Sequence, residues 1–310
     1  AALEIGVDKS AVVRFYAFEN GQHTPIWEQQ IFQPEQEVTT SFGAPTMEAK
    51  VTSVYPEKWT QKSGFYRFLW GDHYRSTYGQ PILAPIGNLD SLKGGLKPLI
   101  SGGGNQSLSL RLEDKNGTQY VMRGVRKSVS RFLQTAVFRD NYVMDSFDDT
   151  WAEGFIYDFY TTAHPYTPFI IGDLSSKVGI YHTNPELYYI PKQQALGAFN
   201  GKYGDELYMI EERPSEGHEE ESFGNAAKII STTDVIANLR KDEKYAIDES
   251  MYLRARIFDM LIGDWDRHGD QWRWSEFKEG DKVIYRPVPR DRDQAFAKID
   301  GALLSLIKKL

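Results

Sequence analysis

Asp266, Gln271 and Asp291 are the residues whose types and spacing suit chemistry. Phosphoryl transfer needs an aspartate that orients the acceptor hydroxyl, a residue shortly after it that helps hold a metal, and a second aspartate that bridges metal and phosphates. Gln271 follows Asp266 by five positions, and the stretch between them and Asp291 reads as a hairpin. Its strands are Gln271-Trp272-Arg273-Trp274-Ser275 and Val283-Ile284-Tyr285-Arg286, joined through Lys278-Glu279-Gly280-Asp281. A hairpin sets the start of its first strand beside the end of its second, so Asp266 and Asp291 are expected to converge. Asp291, Gln271 and Asp293 would then offer oxygens to a hard cation, Mg2+ or Mn2+.

Other chemistries fit these residues less well. Asp264, Asp266 and Gly269 mimic positions 1, 3 and 6 of a calcium loop, but Ser275 falls where a bidentate glutamate is required. A metal-dependent hydrolase using His268 lacks a second histidine near by. A non-catalytic alternative stays open, in which Asp264, Asp266, Asp270, Asp291 and Asp293 pair with Arg254, Arg256, Arg267, Arg290 and Arg292 as a scaffold. Within the loop His268 reads as a structural prop more than a base.

The elements that must position these groups follow from the pattern. A helix begins at N-cap Asp248, carries Met251, Ile257, Phe258, Leu261 and Ile262 at helical spacing, and ends at Gly263, directly before the acidic loop. Upstream, Ser101, Gly102, Gly103 and Gly104 form a glycine-rich turn whose backbone could cover phosphates. Leu108, Leu110 and Leu112 alternate on the next strand, Asn116-Gly117 suggests a tight hairpin turn, and the return strand carries Arg123. Thr150 and Glu153 make a capping box at the head of a helix of residues 150 to 163. Glu153 or Asp158 of that helix is expected to pair with Arg123. Glu206 to Ile210 reads as a strand, with Glu211-Glu212 a solvated strand end unless a nucleotide base lies against it. Trp272 and Trp274 read as sheet packing.

Asp266-Arg267-His268-Gly269-Asp270-Gln271 resembles the Asp-Arg-His-x-x-Asn catalytic loop of atypical protein-kinase-like enzymes, namely HipA-type, phosphatidylinositol and secretory-pathway kinases. Asp291-Arg292-Asp293-Gln294-Ala295-Phe296 is similar to their metal-binding segment. The run from Gly102 to Leu112, His164-Pro165-Tyr166, and Asp264 to His268 resemble more closely a Gram-negative envelope family, in which such a domain often sits beside a metallophosphoesterase or an outer-membrane barrel domain. The resemblance implies an α+β, two-lobed kinase-like fold, with an antiparallel N-lobe sheet bearing one helix and a helical C-lobe with a catalytic hairpin. It implies catalytic roles for Asp266, Arg267 and His268 and binding of ATP by Ser101 to Gly104, Arg123, Glu153, Asp158 and Glu211. It also implies a periplasmic or outer-membrane-associated setting, where ATP is scarce and another phosphate donor would be needed. Gln271 replaces the usual asparagine and Arg123 the usual lysine, and a planar guanidinium is not interchangeable with an ammonium. Both departures favour the alternative of a non-catalytic, pseudokinase-like binding module.

Composition bounds these readings. Of the 310 residues 41% are hydrophobic and 25% charged, the net charge is −7, and there is no cysteine. No disulfide or thiolate chemistry is available. No apolar run reaches the length of a membrane span, and an acidic chain without a long basic block makes nucleic acid a poor partner. Three regions are expected: residues 1 to 93 as a β-rich extension and strap, 94 to 213 as the first lobe, and 214 to 310 as a second, incomplete lobe. Partner domains of a longer chain are expected beside them. The aromatic and basic stretch from Gly64 to Asp90 reads first as packing and second as a docking strap.

Overall fold

The computed structural model describes residues 11–15, 18–19, 22–23, 27–31, 42–102, 107–133, 150–215 and 220–303. Gly103 and Gly104 of the glycine-rich turn lie outside the described residues. The chain is a mixed α+β protein. No described helix is long and apolar enough to cross a membrane.

Two antiparallel strands, β1 (Ala49–Thr52) and β2 (Ile82–Pro85), precede a five-stranded antiparallel sheet. That sheet holds β3 (Lys97–Ser101), β4 (Ser107–Glu113), β5 (Gln119–Lys127), β6 (Glu186–Ile190) and β7 (Glu206–Glu212) in the spatial order β6-β7-β5-β4-β3. Alternation along β4 and β5 sends Leu110, Leu112, Tyr120 and Met122 to one face, where they pack with Leu89, Leu96, Tyr203 and Tyr208. Arg111 and Arg123 therefore stand on the other face. The β4–β5 turn is wider than a two-residue Asn-Gly loop. Glu113 pairs with Gln119, and the Asp114 carboxylate accepts the N–H groups of Asn116 and Thr118, both at 2.8 Å. A local side-chain acceptor thus decided the turn over the Asn-Gly signal.

A second, four-stranded sheet contains β8 (Lys228–Ser231), β9 (Tyr245–Ile247), β10 (Trp272–Glu279) and β11 (Lys282–Pro289) in the order β8-β10-β11-β9. The expected hairpin is β10–β11, closed by Gly280 at φ 61° and by the Glu279–Lys282 pair. Trp272, Trp274 and Tyr285 from it pack with Phe258 and Ile262, so the tryptophans are core residues.

The longer α-helices among the described residues are α1 (Gly64–Trp70), α2 (Arg75–Gly79), α3 (Trp151–Tyr160), α4 (Pro168–Lys177), α5 (Thr232–Lys241) and α6 (Glu249–Leu261). Asp248 caps α6 by accepting the Met251 N–H at 2.9 Å, and Thr150 caps α3 by accepting that of Glu153 at 3.1 Å. The stretch from Gly64 to Asp90 packs in part, with Arg75, Tyr78 and Leu89 buried and Phe65 and Phe68 exposed. Arg75, 3% exposed, forks onto Asp158 of α3, 5% exposed, and the Tyr66 hydroxyl donates to the same carboxylate at 3.0 Å. Val54, Tyr55 and Tyr78 share a core with Val125, Tyr189 and Leu207 of the five-stranded sheet.

The far end of the described chain returns to this corner. Asp300 accepts the His73 N–H at 2.9 Å and contacts the His73 ring at 2.8 Å. Gly71, at φ 92°, and Gly301, at φ 110°, lie backbone against backbone. A Cβ on Gly71 would stand 2.3 Å from the Asp300 carbonyl oxygen, so only glycine fits.

Candidate functional site

The loops that follow α6 and β11 meet beside the five-stranded sheet. Arg123 reaches across from β5 and its guanidinium bonds the Asp291 carboxylate. Four residues further on, Lys127 bonds Asp293 in the same way. Two parallel ion pairs therefore join β5 to the loop after β11. Asp291 holds Arg123 firmly protonated, against the opposing effect of burial. Burial pushes the Asp291 carboxyl upward, but Arg123, Lys127 and Arg290 outweigh it and hold it below its usual range.

The remaining expected partners are distributed differently. Asp158 does not serve Arg123, because Arg75 occupies it. Glu153 contributes its backbone N–H to the α3 cap. The second carboxylate that reaches Arg123 is Glu211, at 3.6 Å, and it accepts the Thr183 hydroxyl at 2.7 Å. Glu211 is buried, not a solvated strand end. Ser101 accepts from the Tyr203 hydroxyl at 2.9 Å, and the Gly102 N–H donates to the Ser109 carbonyl at 2.6 Å. A Cβ at Gly102 would fall 2.5 Å from the Ser109 hydroxyl oxygen, which explains glycine there. Ser107, the first residue of β4, pairs with Lys127, so β4 begins at the sheet end bearing the Lys127–Asp293 pair.

Asp266 precedes the hairpin in the chain. Its Oδ2 accepts from the Gln271 side-chain amide over a long 3.4 Å. Gln271 is anchored through its backbone, taking its N–H to the His268 carbonyl at 3.1 Å and accepting from the Arg290 N–H at 2.9 Å. The amide oxygen of this buried glutamine has no hydrogen-bond partner. The His268 ring is exposed, so the propping is done by its carbonyl.

Arg267 is held from below. It bonds Asp264 and the Arg290 carbonyl, and its Nε lies 3.3 Å from Asp259. Asp259, wholly buried on α6, also takes Arg292 Nε at 2.9 Å and Arg256 at 3.1 Å, and Arg292 continues to Ser175 of α4 at 2.8 Å. Burial raises the Asp264 carboxyl to about 6 in spite of Arg267. This network fixes the loops that carry Asp266 and Asp291 relative to α6 and α4. Asp259 and Lys127 escaped the sequence reading, although both carry a signal. Asp259 is four residues after Ala255 on the buried stripe of α6, and Lys127 is four residues after Arg123 on one strand.

Between the sheets lies a narrow cleft lined by Arg123, Met209, Glu211, His182, Arg290 and Asp291, among others, enclosing about 30 Å³. That is room for water and not for a nucleotide. Asp266 is not among its lining residues. Among the described residues no three histidine or acidic side chains gather to hold a metal unaided. Magnesium, however, uses one or two protein oxygens together with substrate phosphates. The unpartnered Gln271 oxygen and the Asp291 carboxylate are donors of the right chemical type for such a site, the latter only once Arg123 releases it. No family model matches this chain, and no curated protein or solved structure is found to be similar to it.

Proposed function

We propose that the chain is a kinase-like phosphotransferase that moves a phosphoryl group from a nucleotide to a hydroxyl with Mg2+ or Mn2+, its two sheets belonging to the two lobes of a kinase-like fold. The observation that carries this reading is the meeting of Arg123 with Asp291. A cation from the middle of one sheet and a carboxylate from a loop beyond the other arrive at one small volume, as a phosphate and metal site requires. Supporting it, Arg123 lies on the third strand of its sheet in chain order, after a glycine-rich turn and before helix α3. In this reading Asp266 orients the acceptor, Gln271 and Asp291 hold the metal, which neutralises phosphate charge, and Arg123 exchanges Asp291 for phosphate. ATP with Mg2+ should raise the melting temperature and be consumed. Asp266→Asn should keep the wild-type fold while losing about 100-fold or more of the turnover. Neither binding nor turnover by the wild type would sink the proposal.

A second reading, a non-catalytic kinase-like binding module, is favoured by one observation: Asp291 and Asp293 are each neutralised by a basic side chain, and Asp266 lies outside the cleft lining. Binding of ATP without turnover, unchanged in Asp266→Asn, would select it.

A further inference from the structure

Most buried or half-buried cations of this acidic chain have a carboxylate of their own. Four arginines break the pattern. Arg111 on β4, Arg213 just past β7, Arg273 on β10 and Arg290 just past β11 are all half-buried, and among the described residues none forms an ion pair.

Their surroundings gather them further. Arg273 and Arg290 both donate to the carbonyl of Asp270, at 3.4 and 2.8 Å, so two guanidiniums are held side by side over one neutral oxygen. The buried Nε of Arg290 has no partner, and Arg290 lines the cleft with Arg123. Arg213 donates to the Gln119 side chain at 3.0 Å, at the start of β5. Arg111 pairs in register with Val121 on the face that carries Arg123. The groups feel one another. Burial, then Arg273 and Arg123, push Arg290 down to about 10 against the smaller pull of Glu211 and Asp291, burial, then Arg111 and Arg273, lower Arg213, and burial lowers Arg273 in spite of Asp270 and Asp234. Like charges pressed together in a partly desolvated place are costly unless an anion joins them.

We propose that Arg111, Arg213, Arg273 and Arg290 form a binding site for an oligophosphate, neutralised by guanidiniums without a divalent cation. A single phosphate group carries about −2 at most, so four fixed cations match two or more adjacent phosphates, and the planar fork of arginine suits phosphate oxygens. The phosphate chain of a nucleotide and free inorganic oligophosphate share this chemistry. The site stands on its own geometry, whether or not phosphoryl transfer occurs.

The test is thermal melting in EDTA at constant ionic strength with tripolyphosphate, orthophosphate, sulfate, ATP and AMP. Tripolyphosphate should raise the melting temperature progressively with concentration and beyond sulfate. ATP exceeding tripolyphosphate, with AMP inert, identifies a nucleotide as the source; tripolyphosphate exceeding ATP identifies the free oligophosphate. Arg273→Gln and Arg111→Gln should each reduce the shift. Should Arg273→Gln fail to fold, Arg111→Gln carries the test, since its side chain makes no hydrogen bond among the described residues. Asp266→Asn should keep the full shift, which separates this site from the failure of catalysis. No shift, an equal shift with sulfate, or a shift that survives both arginine substitutions would overturn the proposal.

Discussion

Arg267 and Arg292 are buried against two acids, Asp259 and Asp264, whereas Arg273 and Arg290, close by in the chain, share only a backbone carbonyl. Residue type is the same in the two regions, and each is at least half removed from water. What differs is the inventory of partners. In the first region every guanidinium finds a carboxylate and further donors reach Ser175 or a carbonyl, with one buried nitrogen each of Arg267 and Arg292 making no hydrogen bond, so its work is to hold loops in place. In the second no guanidinium forms an ion pair among the described residues, although Asp291 and Glu211 act on Arg290 and Asp270 and Asp234 on Arg273 from further off. Neither a count of charges nor a burial value separates fold glue from a ligand site here; the accounting of which acid serves which base does.

The largest effect should come from breaking the ion-paired network around Asp259. Asp259→Ala would strand Arg267 and Arg292 in the interior and is expected to cost about 3–5 kcal/mol in chemical denaturation. A loss below about 1 kcal/mol would erase the distinction between the two regions. Next comes the pH dependence of Asp264. Its folded carboxyl titrates near 6, above an unfolded value of about 3.9, so the folded state binds the proton more tightly. Stability should therefore fall as pH rises from about 4 to about 6, by on the order of 2–3 kcal/mol. Subtracting the profile of Asp264→Asn from that of the wild type isolates this limb, and a flat difference would remove the argument. The smallest effect sharpens the comparison from outside both regions. Lys93 and Glu186 form an exposed pair at 2.5 Å, and Lys93→Gln should change stability by no more than about 0.5 kcal/mol.

Local pattern made much of this legible beforehand. The spacing of Phe258 and Ile262 behind N-cap Asp248 gave helix α6, and Lys278 to Asp281 gave the turn that brings Gln271 beside Arg290. From that hairpin alone, Asp266 and Asp291 were expected at one end of the second sheet, and Arg123 does reach Asp291. The partners of the cations were not legible. Arg75 and Asp158 are separated by 83 positions and Lys127 and Asp293 by 166, and nothing local to either member announces the other. Tertiary packing also assigned Asp158 to Arg75 in place of Arg123, and it buried Glu211 against Thr183 at a strand end that looks solvated in the sequence. A carboxylate's neighbours follow from the global arrangement, while its secondary structure follows from its own segment.

The clasp between His73 and Asp300 bears on the order of folding. It joins residues 227 positions apart, so it closes a very long loop whose entropy must be lost before the contact returns anything. Sheet and hairpin contacts within each region are far more local and can form without it. The clasp is accordingly a late event, absent from the rate-limiting transition state, and weakening it should speed unfolding while leaving the folding rate almost untouched. Its expected contribution to the protein is kinetic persistence: residues 230 positions apart, held backbone to backbone at Gly71 and Gly301, would set how long the folded state lasts once formed.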